Sequence, residues 1–285
     1  MIYETNKFYR NFEIEKRNGN KRLISAPYPS LKLVQEWIHL NILSKKRCHF
    51  AVFSYKPGKN IIDNAKLHLG SSEILKIDIK DFFPSITYKT VFYLFYKLGY
   101  TKKVSFYLAK LCTLNNSLPQ GAPTSPYISN LIFFDIDKEL FHLAKKHNLK
   151  YSRYADDLCF SGEIDSRLKL IILNKVKRRL YKRGYKINIT KTAIRHKNQR
   201  QSLTGIVINE KLSVKREYER KIRQELYFIN KFGLESHREK INEKRIHYKE
   251  HLIGKINYLC TLSQRERYLN YKKQSQEIFG NDINP

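Results

Sequence analysis

The sequence predicts an α+β fold, in which a mixed core of strands and helices is followed by a helical C-terminal region. Residues 73–79 have strand character and residues 150–162 that of a hairpin, whereas residues 87–98 and 166–183 carry apolar side chains at helical spacing. From about Leu212 onward, two helical apolar stripes replace this mixture. The stripes are Tyr218, Ile222, Leu226 and Ile229, and then Tyr248, Leu252, Ile256 and Leu259.

Local signals predict the remaining elements of the core. The turn sequence Arg17-Asn18-Gly19-Asn20 predicts a hairpin of two short basic strands over residues 12–24. Pro119, Gly121, Pro123 and Pro126 argue against regular structure in the segment that contains them. Further helices are predicted over residues 31–44, 61–69 and 128–147, and further strands over residues 185–189 and 203–209.

The charge balance predicts a polyanionic partner. The 285 residues include 55 Lys and Arg against 26 Asp and Glu, a formal net charge of +29, and the basic residues run through the whole chain. Self-repulsion of this size destabilises a compact state unless a ligand neutralises it, so a nucleic acid is favoured over a basic protein whose charge serves no ligand.

Composition also disfavours other classes of protein. The N-terminus is polar and the longest apolar runs, such as residues 131–134, are too short to span a bilayer, so we expect a cytoplasmic protein without a membrane partner. The cysteines show no CxxC pair and no His at metal spacing, which argues against a zinc site or disulfide framework. They are Cys48, Cys112, Cys159 and Cys260.

Two acidic clusters are the candidate chemical site. Asp156 and Asp157 follow Tyr154-Ala155 between two segments of strand character, and Asp78 lies near the end of an apolar strand. Adjacent carboxylates repel unless a cation or basic neighbours compensate them, so they suggest a divalent metal, although a solvated Asp-Asp turn is the alternative. Carboxylates from separate strands can hold two Mg²⁺ ions that activate a primer hydroxyl and stabilise the leaving pyrophosphate.

Taken in order, these segments resemble the motifs of reverse transcriptases. They are the strand with Asp78 and the following Phe82-Phe83, the segment Leu-Pro-Gln-Gly-Ala-Pro-Thr-Ser-Pro at residues 118–126, and Tyr-Ala-Asp-Asp at residues 154–157. Two more segments resemble the bacterial retron type, a branch of the group II intron-like superfamily. These are Asn64-Ala65-Lys66-Leu67-His68, similar to its Asn-Ala-x-x-His element, and Leu203-Thr204-Gly205, which departs from Val-Thr-Gly at its first residue.

The resemblance covers about residues 12–210 and implies a right-hand polymerase with fingers, palm and thumb. The fingers would comprise residues 1–72, with residues 99–118 returning to them. The palm, an antiparallel sheet with helices that carries the catalytic motifs, would comprise residues 73–210, and the helical, RNA-binding thumb residues 211–285.

The same resemblance implies the catalytic and metal-binding residues. Asp78, Asp156 and Asp157 would be the catalytic acids that hold two Mg²⁺ ions, and Ile79 is also placed at the metal site. Gln120 and Gly121 would contact the incoming nucleotide, whose base pair could approach the Gly-Ala backbone closely. A surface connection stiffened by proline is the alternative for that loop.

Three more residues are implied at the nucleotide site. Phe83 would exclude a ribose 2′-hydroxyl, with core packing as the alternative, and alternation along an extended segment would turn Phe82 and Phe83 to opposite faces. Lys191 would face the triphosphate and could protonate pyrophosphate, or else be a solvated lysine. Arg22, in the basic hairpin, would grip the triphosphate.

RNA-binding residues are predicted in two places. Asn64 and His68 would share a helix face, and would either contact RNA or form a hydrogen-bonded pair that fixes the helix. Basic residues on the solvent face of the first thumb stripe would grip duplex phosphates, with a solvated basic face as the alternative. These residues are Lys215, Arg216, Arg220 and Arg223.

The resemblance implies an RNA-directed DNA polymerase of a retron. Its partners would be deoxynucleotides, a structured noncoding RNA that serves as template and primer, and its product, single-stranded DNA joined to RNA through a 2′-hydroxyl (msDNA). Retrons commonly act in anti-phage defence with a separate effector protein. A group II intron-type enzyme would normally extend past the thumb, and a noncatalytic RNA-binding relative need not keep all three acids.

Overall fold

The computed structural model describes residues 4–15, 19 and 21–280. The chain forms two compact units. One comprises residues 1–64 and 71–196, and the other comprises residues 65–70 and 197–285. The α+β class predicted from the sequence is confirmed.

The regular elements alternate along the first unit and become helical in the second. The strands are β1 (Tyr9–Glu15), β2 (Lys21–Pro27), β3 (Glu73–Lys80), β4 (Lys150–Tyr154), β5 (Asp157–Gly162), β6 (Lys186–His196), β7 (Ser202–Leu203) and β8 (Ile206–Val207). The helices are α1 (Pro29–Ile38), α2 (Ile61–Leu67), α3 (Tyr88–Lys97), α4 (Lys102–Cys112), α5 (Ser125–Ile132), α6 (Phe134–Lys146), α7 (Ser166–Tyr181), α8 (Arg216–Phe232), α9 (Leu234–Lys240), α10 (Tyr248–Leu262) and α11 (Glu266–Phe279).

The first unit is built on a four-stranded antiparallel sheet in the order β4-β5-β3-β6. Side chains alternate along a strand, so each strand presents one face to the helices and one face away from them. Leu75 and Ile77 of β3, with Leu158 of β5, belong to the buried core that also contains Leu140 of α6 and Val176 of α7. The helices therefore cover one face of the sheet.

A separate antiparallel hairpin of β1 and β2 precedes this sheet. It confirms the hairpin predicted over residues 12–24, although most of the predicted turn lies outside the described residues. Within the turn, Gly19 has a φ of 78°, a left-handed conformation that glycine adopts without steric cost.

Several predicted elements of the core differ from the structure. The helix predicted over residues 128–147 is two helices that meet at Phe133, and the first begins at Ser125 with Pro126 in its first turn. Proline fits there because the amide of the first turn needs no partner. Helix α4 was not predicted from the sequence. The helix predicted over residues 31–44 ends as a π-helical turn, His39–Leu43.

The last two predicted strands were also wrong in extent or place. Residues 185–189 were predicted as a short strand, yet β6 continues to His196 because it pairs with nearly all of β3. Residues 203–209 do not join the large sheet. Instead β7 and β8 form a two-residue pair around Thr204 and Gly205, within the second unit.

The helices of the second unit bury the two apolar stripes predicted from the sequence. Ile222, Leu226 and Ile229 of α8 are buried, with Tyr218 partly so, and all four residues of the second stripe are buried in α10. Within residues 4–15, 19 and 21–280, no helix combines the length and apolar character needed to cross a membrane.

Candidate active site

The three candidate acids lie together on the sheet of the first unit. Asp78 of β3 is directly opposite Asp157 of β5, and the Ile79 N–H donates to the Asp156 carbonyl oxygen at 2.9 Å. Asp78 and Asp157 occupy the face away from the helices, because their neighbours Ile77 and Leu158 point into the core. The predicted strand position of Asp78 and the predicted hairpin turn at Asp156 are both present.

Hydrogen bonds to the main chain hold the turn that carries Asp156. Ala155 has a φ of 55°, which is uncommon for a residue other than glycine. Its N–H donates to the Ser54 hydroxyl oxygen at 2.7 Å, and its carbonyl accepts from Arg153 Nη1 at 3.1 Å. Both partners are buried, so the surroundings stabilise a conformation that alanine alone would disfavour.

Arg153 itself is held by a fully buried carboxylate. Its Nε and Nη2 donate to the two carboxylate oxygens of Asp137 on α6, each at 2.8 Å, and the Tyr151 hydroxyl donates to Asp137 at 2.9 Å. The Arg153 guanidinium also lies 5.0 Å from the centre of the Phe133 ring. This network joins α6 to the Asp156 turn through charged hydrogen bonds.

The acids perturb one another. Burial, then the negative charge of Asp157, raises the pKa of Asp156 to about 6, and burial likewise raises the pKa of Asp157. Lys191 and Lys76 oppose these shifts through their positive charges. The cluster therefore favours a bound cation, because its carboxylates are incompletely compensated by the protein.

Lys191 is the basic residue in direct contact with this cluster. Its Nζ donates to Asp78 Oδ1 at 3.1 Å. Lys191 lies in a bulge of β6. Lys76 pairs with Ala193 and Asp78 pairs with Asn188, so residues 189–192 of β6 lie opposite the single residue Ile77. The sequence placed Lys191 after a strand, whereas it lies within one.

The donor chemistry of this cluster fits a hard divalent cation. Among the described residues, no group of three or more His, Cys, Asp or Glu side chains is arranged to hold a metal ion. The oxygens of Asp78, Asp156 and Asp157 are nevertheless the ligand type that Mg²⁺ prefers, and burial, with repulsion from neighbouring carboxylates, raises the pKa values of Asp156 and Asp157, a penalty on the charged forms that a cation would offset. The Ile79 side chain is buried in the core, so only its main chain could contribute.

The candidate nucleotide loop contacts the β1–β2 hairpin. The Ser25 N–H of β2 donates to the Gln120 carbonyl oxygen at 2.8 Å. Gly121 has a φ of 123°, and a Cβ atom there would lie 2.7 Å from the Ser25 carbonyl oxygen. Glycine is therefore required at Gly121 by both conformation and space. Arg22 lies three residues before Ser25 on β2, with its side chain exposed.

The two phenylalanines after Asp78 differ in burial, as predicted, but the reason differs. Phe82 is buried in the core and Phe83 is half-buried. The segment is a helical turn with Asp81 at a φ of 47°, and is not the extended chain from which the difference was predicted. The Phe83 ring lies 6.3 Å from that of Tyr55.

Tyr55 is a residue at the site that sequence analysis missed. It has a φ of 55°, and burial, then the charge of Asp156, raises the pKa of its hydroxyl. Its only sequence signal is the Pro57-Gly58 turn that follows, which is typical of any surface loop.

The residues predicted to bind RNA fall into two groups. Asn64 and His68 are both buried, which favours a structural role over direct contact with RNA. The other group, Lys215, Arg216, Arg220 and Arg223, is exposed and lines a groove of about 980 Å³ in the second unit. The same groove is also lined by Arg200, Lys211, Arg265 and Arg267.

Comparison with known proteins agrees with this geometry. The family model described as reverse transcriptase (RNA-dependent DNA polymerase) matches residues 14–245. The retron Ec86 reverse transcriptase of Escherichia coli is 36% identical over 236 residues, 80% of this chain and 72% of that protein. The retron Mx162 reverse transcriptase of Myxococcus xanthus is 34% identical over 233 residues, 72% of this chain and 48% of that protein.

Solved structures show the same fold at low sequence identity. Telomerase from Candida albicans, solved in complex with a fragment of telomeric RNA, superposes with a TM-score of 0.52 at 11% identity. The match covers 95% of this chain and 60% of that one, and it shows the fold alone. This chain thus spans part of the length of several proteins that it matches.

The fold and the match over most of the chain define an RNA-directed DNA polymerase of the right-hand class. The chain belongs to the reverse transcriptase family, and within that family to the retron type.

Proposed function

We propose that this protein is the polymerase of a retron, which copies a structured noncoding RNA into single-stranded DNA that stays covalently joined to RNA. The observation that supports this proposal most is the acidic cluster: Asp78 and Asp157 lie on one face of the sheet, Asp156 lies in the adjoining turn, and Lys191 is bonded to Asp78. Carboxylates from neighbouring strands are suitable ligands for the two metal ions of nucleotidyl transfer, and a binding-only relative would not need them.

Each residue has a role in the proposed mechanism. Asp78, Asp156 and Asp157 would hold two Mg²⁺ ions, which when bound would supply Lewis-acid activation of the primer hydroxyl and charge stabilisation of the leaving pyrophosphate. Lys191, which is bonded to Asp78, would donate a proton to pyrophosphate or neutralise its charge. Gln120 and Gly121 position the incoming nucleotide, and Arg22 binds its triphosphate.

The finer features of the proposed function follow from the likeness to retron enzymes. The RNA would supply both template and primer, the first deoxynucleotide would be added to a 2′-hydroxyl, and the msDNA would serve in anti-phage defence together with a separate effector protein. The names of the relatives support a retron system, and the net charge of +29 supports a nucleic-acid partner.

Primer extension tests the proposed polymerase activity. The purified protein should extend a primer on an RNA template with deoxynucleotides, and EDTA should stop the reaction. Asp156→Asn should abolish synthesis and leave RNA binding nearly intact, because it removes a metal ligand and no phosphate contact. Asp81→Asn is the matched control, since Asp81 is exposed and Asn accepts its φ of 47°.

The same measurements decide between the proposal and its rivals. RNA binding without any synthesis by the unaltered protein would identify a noncatalytic relative. Synthesis near the unaltered level by Asp156→Asn would overturn the assignment of the acids. Sequencing the nucleic acid that copurifies with the protein tests the retron part, because it should be one structured RNA joined to a single-stranded DNA.

A further inference from the structure

A basic groove lies on the outer surface of helices α6 and α7, and it takes no part in the proposed mechanism. It has a volume of about 520 Å³, with Leu140 and Leu143 of α6 among the residues that line it. Exposed basic side chains of both helices and of the residue that ends α7 surround these leucines. They are Lys146, Lys175, Arg178, Arg179 and Lys182.

This groove is separate from the candidate active site. Leu140 of α6 and Val176 of α7 pack into the core that covers the helix-facing side of the sheet. Asp78 and Asp157 occupy the opposite side of the same sheet. A nucleic acid bound in the α6–α7 groove would therefore lie behind the palm sheet, and could not be the base pair at the acids.

The positive charge of the groove is mostly uncompensated. Arg179 Nε lies 2.7 Å from Glu139 Oε2. Within the described part of the chain, the other four basic residues form no salt bridge. Lys175, Arg178 and Lys182 follow one another at spacings of three and four, so they lie on one side of the helix. Like charges at this spacing destabilise a helix, and a bound anion would reverse that effect.

The shape and lining of the groove favour a double-stranded ligand. Lys175 and Lys182 are seven residues apart, roughly 10 Å along a helix that rises about 1.5 Å per residue. That length matches about three successive phosphates of one strand. His142 is the aromatic side chain among the described residues that line the groove, and Phe, Tyr and Trp, the larger rings on which successive unpaired bases stack, are not among them.

We propose that the α6–α7 groove binds the phosphate backbone of a duplex stem in the RNA that this enzyme copies. The proposal rests on the proposed function, since it takes the structured template RNA as the polyanion. The α6–α7 groove would contact that RNA behind the palm sheet, where a folded stem can stay bound while the template strand moves through the active site.

Two variants of equal charge test the proposal. The groove variant replaces Lys146, Lys175, Arg178 and Lys182 with Gln. The control variant replaces Lys102, Lys103, Lys145 and Lys177 with Gln, which are exposed residues outside the groove, two of them on the same helices. The probe is a fluorescent RNA hairpin of about 20 base pairs, added after an unlabelled short primer–template has filled the polymerase cleft.

The expected result is a weakening confined to the groove variant. It should bind the hairpin about tenfold or more weakly, and the dependence of log affinity on log salt concentration should become shallower by up to about one unit for each phosphate that the variant no longer binds. The control variant should stay within about twofold of the unaltered protein. Equal weakening in both variants, or none in either, would overturn the proposal.

Two further probes separate the alternatives. A single-stranded uridine oligomer should bind both variants with the same affinity. If the groove variant lost as much affinity for this oligomer as for the hairpin, the groove would not be specific for a duplex. If the groove variant lost affinity for a polyglutamate peptide but kept its affinity for the hairpin, the groove would be assigned to an acidic protein instead. Extension of the short primer–template should be unchanged in both variants, so failure of the unaltered protein to extend it would count against the polymerase and not against the groove.

Discussion

The guanidinium of Arg153 and the carboxylate of Asp137 form two hydrogen bonds of 2.8 Å, and both side chains are fully buried. The same guanidinium donates to the Ala155 carbonyl, one residue before Asp156. The pair therefore positions the turn that carries two of the three candidate acids, although neither residue faces substrate.

Breaking this pair should destabilise the fold strongly. Asp137→Asn or Arg153→Met leaves one buried charge uncompensated, which costs about 3–5 kcal/mol in similar cases. The double variant Asp137→Leu with Arg153→Met removes both charges and should recover most of that loss. Urea denaturation measures the free energy of unfolding, and a loss under about 1 kcal/mol in both single variants would contradict the prediction.

Asp156→Asn should stabilise the metal-free protein at neutral pH. The pKa of Asp156 is raised to about 6 in the folded protein. The Asp156 carboxyl therefore contributes fully to stability at a pH below its pKa in the unfolded chain, and this contribution is lost as the pH rises through about 6. The variant should gain roughly 1–3 kcal/mol above pH 7 and nothing near pH 4. Thermal denaturation in EDTA between pH 4 and 8 measures this, and a gain that does not depend on pH would rule it out.

Phe83→Ala should weaken discrimination against ribonucleotides. If Phe83 flanks the nucleotide sugar, as the resemblance implies, removing the half-buried ring opens space there, and the ratio of ribonucleotide to deoxyribonucleotide incorporation should rise about tenfold, equivalent to about 1.4 kcal/mol. Phe83→Tyr keeps the ring and should keep the discrimination. Single-nucleotide extension kinetics measure the ratio. An unchanged ratio in an active Phe83→Ala enzyme would mean that Phe83 is core packing or that another residue excludes the hydroxyl.

The groove on α8 should be the site that selects the cognate RNA. A polymerase cleft accepts every base pair in turn, so selection requires binding elsewhere, to the shape of a folded RNA. Replacing Lys215, Arg216, Arg220 and Arg223 with Gln should weaken binding of that RNA and lower its salt dependence by up to about one unit for each phosphate released from the groove. The buried stripe of Ile222 and Leu226 is untouched, so the fold should survive.

A control variant of the second unit makes that result specific. Lys240, Lys244, Lys272 and Lys273 are exposed and lie outside the groove, and replacing them with Gln removes the same charge. Binding should stay within about twofold of the unaltered protein. If the groove variant binds the RNA with the same affinity and salt dependence as the unaltered protein, the α8 groove does not select it.

Sequence alone predicted what depends on short-range patterns. The acids at Asp78, Asp156 and Asp157 stand out because alternation and turn signals place them at strand ends, and the apolar stripes of α8 and α10 follow from helical spacing. The break at Phe133 was not predicted, because the apolar pattern continues through this buried residue from one helix into the next.

Other parts of the site depend on contacts between distant residues. The salt bridge of Asp137 with Arg153, the bond of Ser54 to Ala155 and the approach of Tyr55 to Phe83 join residues from separate elements, which no local pattern encodes. The bulge that turns Lys191 toward Asp78 arises from the register between β3 and β6, and register is a property of the pair of strands.

The joint between Ser25 and Gln120 has a mechanical consequence. Their main chains share a hydrogen bond, and the space beside Gly121 is too small for even a methyl group. The β1–β2 hairpin and the loop that contains Gln120 should therefore move together. If Arg22 binds the triphosphate and Gln120 the incoming nucleotide, as proposed, a mispaired base that displaces the loop would also move Arg22, so that fidelity and substrate retention would depend on one movement.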